Sequence, residues 1–245
     1  MPRFFVAAPL VAGETLSLPD DVVRHIQVLR LQTGDELDLF DGKGGEYRAH
    51  LLEIGKRTAF VQLDEFVARE AEPPYRITLA QGVAGGDKMD WLIEKSVELG
   101  VSSIVPLTAE RGVVRLSSER AVRRQLHWQA LVHAACEQCG RNRVPEVSPA
   151  KDLHAWLNGL PPAGTGELRL MLSPRAVLGF ASLPVAAPAA PITLAIGPEA
   201  GFSPGEEAAM VDAGFTPLGL GARVLRTETA GIAVLAALAG RWGGW

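Results

Sequence analysis

Gly197-Pro198-Glu199-Ala200-Gly201-Phe202 and Leu220-Gly221-Ala222-Arg223-Val224-Leu225-Arg226-Thr227-Glu228-Thr229-Ala230 are the stretches that decide how this chain folds. Each follows a short apolar run, Ile192 to Ile196 and Thr216 to Leu220, and each precedes a helix-like stretch. Both therefore read as strand-to-helix loops of an α/β sheet. Such loops lie at the carboxyl ends of strands, where N–H groups at helix starts point outward and glycines let a ligand approach the main chain. The pair predicts a cofactor site.

The residues around the first loop narrow its ligand. Ser203-Pro204-Gly205-Glu206 is a helix start, with Ser at the N-cap, Pro at the first helical position and Glu completing a capping box. Before it, Glu199 stands in a tight turn at a strand end. A phosphate cradle would offer a lysine there instead of a carboxylate, which argues against a nucleoside triphosphate. In the second loop Arg226 and Glu228 flank a helix start, where they are either cap residues or groups facing the same crevice.

The 245 residues are 47% hydrophobic and 21% charged, the balance of a folded, soluble protein with room for two domains. No apolar run reaches the roughly 18 residues that span a bilayer, and no signal peptide is expected. Cys136 and Cys139 form a C-x-x-C without a second pair, which reads as two thiols on adjacent helical turns and not as a metal site. Free thiols fit a reducing cytoplasm. The net charge of −4 argues against polyanion binding by the whole surface. Basic residues nevertheless cluster at Arg111, Arg115, Arg120, Arg123 and Arg124, with Arg141 and Arg143 following. That cluster is either a solvated helix face or a phosphate-facing patch.

Residues 1–72 read as a small β domain. Glu36 to Phe40 and Glu46 to Leu51 flank a glycine-rich hairpin loop, and Thr58 to Val67 is a further strand. One amphipathic helix starts at Pro19-Asp20-Asp21 and is expected to carry Val22, Val23, Ile26, Leu29 and Arg30 on successive turns before Gly34 stops it. Local RNA contacts in this domain would fall to Arg24, His25 and Arg30. Arg69 to Pro74, ending in Pro-Pro, is the linker to a second domain, residues 73–245. There, strands are expected at Arg76 to Val83, Ser103 to Leu107, Leu168 to Leu172, Ile192 to Ile196 and Thr216 to Leu220. Helices are expected at Lys88 to Leu99, Ser117 to Gly140 and from Thr227 to about Leu238. The alternating order implies a mostly parallel sheet.

The strings I-G-P-E-A-G-F and L-G-A-R-V-L-R-T-E-T-A resemble the S-adenosylmethionine-binding loops of the SPOUT methyltransferases. The whole chain is similar to the RsmE family of 16S ribosomal RNA uridine-N3 methyltransferases. Further matches are Arg24-His25-Ile26-Gln27-Val28-Leu29-Arg30 with Gly34-Asp35, the run from Asp87 to Gly100, and Ala135-Cys136-Glu137-Gln138-Cys139-Gly140-Arg141. One departure is Ala200, where the family more often has Gly; a side chain there calls for a negative φ.

The resemblance implies an α/β fold with a C-terminal SPOUT-type trefoil-knot domain and a small N-terminal PUA-like β-barrel that grips RNA. It implies S-adenosyl-L-methionine as cofactor, held by Ile196, Gly197, Pro198, Glu199 and Gly201 of the first loop. Leu220, Gly221, Val224, Leu225, Thr229 and Ala230 of the second would complete the site with Leu172 and Ser173 of a third. It also implies a cytoplasmic homodimer, with the active site bordering the partner subunit and the small ribosomal subunit or its 16S RNA as substrate.

Methyl transfer to uridine N3 requires loss of the N3 proton. The expected catalytic residues are Arg226, pairing with uracil oxygens or phosphate, and Glu199 or Glu228, orienting groups or accepting the proton. Arg115, Arg123, Arg124 and Arg141 are expected to hold RNA backbone or the dimer partner. Two alternatives remain at this level: methylation of another RNA site such as a ribose 2′-hydroxyl, and a non-catalytic RNA-binding assembly factor.

Overall fold

The N-terminal third alternates apolar and polar residues with period two and folds as a sheet. β1 (Arg3–Phe5), β2 (Thr15–Ser17), β3 (Glu36–Phe40), β4 (Glu46–Ile54) and β5 (Ala59–Val67) are ordered β1-β3-β4-β5-β2. β1 and β3 pair in parallel; the other pairings are antiparallel. Helix α1 (Asp20–Val28) carries Asp20 and Asp21 in its first turn, where acids favour the positive end of the helix dipole. It buries Val22, Val23 and Ile26 against Leu37, Leu39, Leu51, Val61 and Leu63. This helix ends earlier than its apolar pattern suggests. Arg30, at φ 59°, takes the left-handed conformation expected of Gly34 and turns the chain out of the helix, leaving Leu29 exposed.

The computed structural model describes residues 1–112 and 118–245 and divides them into two compact units. The first is Met1–Glu72 together with His133–Val144; the second is Pro73–Val132 with Pro145–Trp245. A cut at residue 72 therefore misses one piece. The Glu137 carboxylate accepts from the Phe5 N–H at 2.9 Å, Arg69 donates to the Gly140 carbonyl at 2.8 Å, and Arg3 donates to Asn142 Oδ1 at 2.6 Å. Contacts between residues so distant in sequence leave no local signature.

The second unit alternates strand and helix. It comprises β6 (Ile77–Gly82), α2 (Lys88–Glu98), β7 (Ser103–Thr108), and α3 (Ser118–Cys139), whose residues from His133 belong to the first unit. There follow β8 (Glu146–Val147), β9 (Lys151–Asp152), α4 (Leu153–Asn158), β10 (Leu168–Leu172), β11 (Ile192–Ile196), α5 (Pro204–Asp212), β12 (Thr216–Leu218) and α6 (Thr227–Trp242). The expected start of the long helix at Ser117 lies outside the described residues. The sheet runs β12-β10-β11-β6-β7-β8, with β9 also on β7, and every pairing among the described residues is parallel. Its central strands β6 and β11 are buried on both faces, as a sheet covered on both sides requires. β12 stops two residues short of Leu220; beyond it Gly219 forms only an isolated bridge to Gly179.

Because β12, β10 and β11 are neighbours, the loops leaving their carboxyl ends at Gly219, Ser173 and Gly197 open side by side. Beneath them Met171, Ala195, Phe202, Met210 and Phe215 form a packed core with Trp156. Among the described residues no helix is long and apolar enough to cross a membrane.

Candidate active site

The first loop is shaped by glycines that admit backbone where a side chain would collide. A Cβ on Gly197 would lie 2.9 Å from Gly201 Cα and the Phe202 nitrogen, and one on Gly82 would lie 2.4 Å from the Pro198 nitrogen. Gly201, at φ 69°, makes the left-handed turn, and its N–H donates to the Pro198 carbonyl at 2.8 Å. Ala200 keeps φ outside the positive range, so the residue that departs from the family pattern fits without backbone strain. The capping box then forms: Ser203 Oγ accepts from the Glu206 N–H, and Glu206 accepts from the Ser203 N–H. Glu206, 1% exposed, also accepts from the Glu110 N–H at 2.7 Å, which fixes the chain next to Arg111.

The first turn of α6 is tied to this loop. The Thr227 hydroxyl donates to the Gly197 carbonyl at 2.6 Å and accepts from Gln81 Nε2 at 2.9 Å, while that amide also donates to the Gly82 carbonyl. Gln81 is fully buried. One turn on, Gly231 lets α6 sit against β11, since a Cβ there would meet Ile196 Cδ1 at 2.9 Å.

These loops enclose a cavity of about 280 Å³. Of the residues that the resemblance implies for the cofactor, Leu172, Ser173, Ile196, Gly197, Pro198, Glu199, Gly201, Leu220, Gly221, Val224, Leu225 and Ala230 line this cavity. Thr229 does not; it is exposed, and Thr227 lines the cavity in its place. At about 100° per residue the two threonines project from opposite sides of the helix, whereas Ala230 shares the side of Thr227. Arg111, Arg175, Glu207, Leu218 and Arg223 also line the cavity, and Gln81 supports it from beneath. None is marked as a cofactor contact by the sequence: Arg111 stands there only within the basic cluster, and the places of Leu218 in β12 and Gln81 in β6 are set by strand pairing, which no local pattern encodes.

The lining fits a nucleoside carrying a sulfonium. Leu172, Ile196, Leu218, Leu220 and Leu225 supply apolar walls. Among the described residues, the backbone N–H groups from Leu220 to Leu225 donate to no acceptor within the chain, so a run of donors is available to a ligand. Gly201 and Gly221 have open space where a Cβ would project. Glu199 and Glu207 line the cavity together with Arg111, Arg175 and Arg223, so groups of both charges stand on its wall.

The three expected catalytic residues differ in placement. Glu199 lines the cavity, but its carboxylate accepts from the Gly85 N–H at 2.9 Å and from Lys88 Nζ at 3.1 Å. Partial burial opposes ionisation, yet the hydrogen bonds from backbone and Lys88 outweigh it and hold this carboxyl below its usual range. A carboxylate so held is a poor proton acceptor and a good clamp. Arg226 and Glu228 bracket Thr227 at the start of α6 without lining the cavity. Arg226 is exposed, and Glu228 has a buried Oε2 with no hydrogen-bond partner among the described residues.

The candidate RNA contacts also separate. Arg24 and Arg30 are exposed, and His25 packs edge-on to Phe4 with Nδ1 3.9 Å from Glu137. Arg123 is exposed and paired with Glu119 at 2.6 Å, Arg124 is half-buried, and Arg115 lies outside the described residues. Arg141 is corrected: it is 3% exposed, with its guanidinium paired to Glu72 at 2.5 Å. A group so buried is a structural tie and not a phosphate contact. Burial pushes the Cys136 thiol up to about 12, which makes it inert.

Residues 71–239 match the family described as RNA methyltransferase domain, and residues 18–64 match the RNA methyltransferase PUA domain. The fold and its loop-lined cavity are thus those of an RNA methyltransferase. The chain is 32% identical to the ribosomal RNA small subunit methyltransferase E of Buchnera aphidicola subsp. Schizaphis graminum, over 99% of this chain and 97% of that one. A ribosomal RNA small subunit methyltransferase E from Neisseria gonorrhoeae, solved bound to S-adenosyl methionine, superposes with a TM-score of 0.91 at 38% identity. That match covers 99% of this chain and 98% of the other. A Legionella pneumophila protein solved in complex with SAM gives a TM-score of 0.91 at 35% identity, covering 98% and 97%. The chain belongs to the ribosomal RNA small subunit methyltransferase E family.

Proposed function

We propose that this protein methylates N3 of a uridine in 16S ribosomal RNA, with S-adenosyl-L-methionine as donor, during maturation of the small subunit in the cytoplasm. The observation that carries the reading is the cavity formed by three adjacent strand-end loops, one of which, lined by Leu220, Gly221, Arg223, Val224 and Leu225, has backbone N–H groups with no acceptor among the described residues. When bound there, S-adenosyl-L-methionine supplies an electrophilic methyl group.

The chain's own residues prepare the acceptor. Neutral uridine N3 carries a proton, so its lone pair becomes available only as that proton leaves. Arg226, exposed at the start of α6 and always charged, donates its fixed fork to the uracil oxygens and stabilises the negative charge that develops on the ring. Glu228, in the first turn of α6 two residues after Arg226, is the group assigned to take the N3 proton. Glu199 keeps the first loop closed onto Gly85 and Lys88. Arg111 and Arg223, exposed on the cavity wall, meet the phosphates beside the target nucleotide. Arg24, His25, Arg30, Arg123 and Arg124 extend the RNA contact.

The protein works as a knotted homodimer in this reading. Val177 and Val224, exposed at 99% and 78%, are apolar residues at the cavity loops that a second copy would cover.

The assignment of Arg226 is tested by Arg226→Ala in calorimetry and methylation assays. Unchanged S-adenosyl-L-methionine affinity with kcat down on the order of 10²- to 10³-fold is expected, the range for removing one preorganised donor. A variant that methylates at the wild-type rate would remove Arg226 from the mechanism.

A further inference from the structure

Ser173, Arg175 and Glu207 form a polar cluster on the cavity wall, of which the family resemblance implies only Ser173 as a cofactor contact. β10 delivers Ser173, 4% exposed, whose hydroxyl donates to Glu207 Oε1 at 3.2 Å. Arg175 Nη2 lies 2.7 Å from Glu207 Oε2, and the Arg175 backbone N–H donates to Ser173 Oγ at 3.3 Å. Both oxygens of one carboxylate are thereby fixed. Neither charge is required for capping α5, which Ser203 and Glu206 perform.

An acid and a base are thus held side by side on the wall of a largely apolar cavity, with capacity to spare. A carboxylate accepts about four hydrogen bonds and a guanidinium donates five, while this pair uses few of them. The side chain of Arg175 is 60% exposed and that of Glu207 19%. An ion pair this exposed stabilises a fold by at most about 1 kcal/mol, which gives no structural reason to aim a buried serine at it. A ribose diol would need the acid alone, and an RNA phosphate would be repelled by it. Opposite charges at fixed separation match a zwitterion.

We propose that the Ser173, Arg175 and Glu207 cluster binds the α-amino-acid end of the methyl donor, with Glu207 accepting from its ammonium group and Arg175 donating to its carboxylate. The proposal rests on the reading of this cavity as the S-adenosyl-L-methionine site. It assigns the third loop and the first turn of α5 to one end of the ligand, leaving Leu220 to Leu225 for the nucleoside.

Calorimetry with two uncharged-sulfur ligands tests it, because S-adenosylhomocysteine and 5′-methylthioadenosine share the nucleoside and differ in the amino-acid end. Glu207→Gln and Arg175→Gln should each weaken S-adenosylhomocysteine about tenfold, the scale of one charge-assisted contact. 5′-Methylthioadenosine affinity should change less than about twofold, and its retention also shows that the variants are folded. Equal loss of both ligands would overturn the proposal in favour of a ribose contact, and no loss of either would make the cluster structural. Loss of S-adenosyl-L-methionine with S-adenosylhomocysteine spared would assign Glu207 to the sulfonium and equally overturn it. A wild-type protein that binds none of the three would instead remove the methyl-donor reading itself.

Discussion

The hydroxyl of Thr227 donates to the Gly197 carbonyl at 2.6 Å, so the first turn of α6 is fastened to the loop that ends β11. The two loops of the site, separate in sequence, are therefore tied directly to each other. Gln81 completes the tie from β6 and is itself fully buried, which leaves no water to replace a lost partner.

Thr227→Val removes the hydroxyl and keeps the shape. The Gly197 carbonyl and the Gln81 amide would each lose a buried partner, at about 1–3 kcal/mol of stability for an unsatisfied group. Denaturant unfolding should show that loss, and calorimetry a weaker S-adenosyl-L-methionine affinity. Thr227→Ser, which keeps the donor, should restore both. A valine variant as stable and as tight as the wild type would contradict the tie.

Gly82→Ala places a Cβ 2.4 Å from backbone of the Gly197-Pro198 turn, which has no flexible side chain to yield. Forcing it in should cost at least about 1–3 kcal/mol and splay the first loop. Gly205→Ala, whose Cβ would meet nothing nearer than Ser203 Oγ at 3.9 Å, is the control and should be nearly neutral. Similar unfolding midpoints for the two variants would refute the close approach.

Much of this site was legible in sequence because it is local. Gly197 and Gly201 mark a turn, Ser203 to Glu206 a helix start, and the apolar runs before each loop mark strands. What stayed hidden depends on register and on long-range pairing. The helix phase of Thr227 over Thr229, the reach of Gln81 into α6, and the pairing of Arg175 with Glu207 are set by neighbouring strands, which no local pattern encodes. Arg141 shows the converse: a basic residue beside Arg143 reads as a phosphate contact until burial with Glu72 removes it from solvent.

Acid sensitivity should trace to Glu46. The hydrogen bonds from Arg69, then those from Arg3, overcome burial and hold its carboxyl at about 2 against an ordinary 4.5. Its contribution is complete above about pH 5 and is lost as pH falls toward 2, because below the folded value the group is protonated in both states; a shift of this size is on the order of 3 kcal/mol. Unfolding free energy of Glu46→Gln should be lower at pH 7 and flatter across that window. A variant with the wild-type acid slope would assign the sensitivity elsewhere.

Arg141 and Arg223 should separate structural from substrate-binding arginines. Arg141→Ala leaves Glu72 without its partner and should lower stability by up to about 3 kcal/mol while the salt dependence of RNA binding stays unchanged. Arg223→Ala should leave stability unchanged and reduce the slope of log affinity against log salt by about one phosphate contact. The reverse pattern would exchange their roles.

The central claim is tested most directly by the product. Small subunits from cells lacking the modification are incubated with the protein and methyl-labelled S-adenosyl-L-methionine, and the 16S RNA is digested to nucleosides. The label is expected in 3-methyluridine alone. Label in a 2′-O-methyl nucleoside, or none at all with the cofactor bound, would contradict the claim.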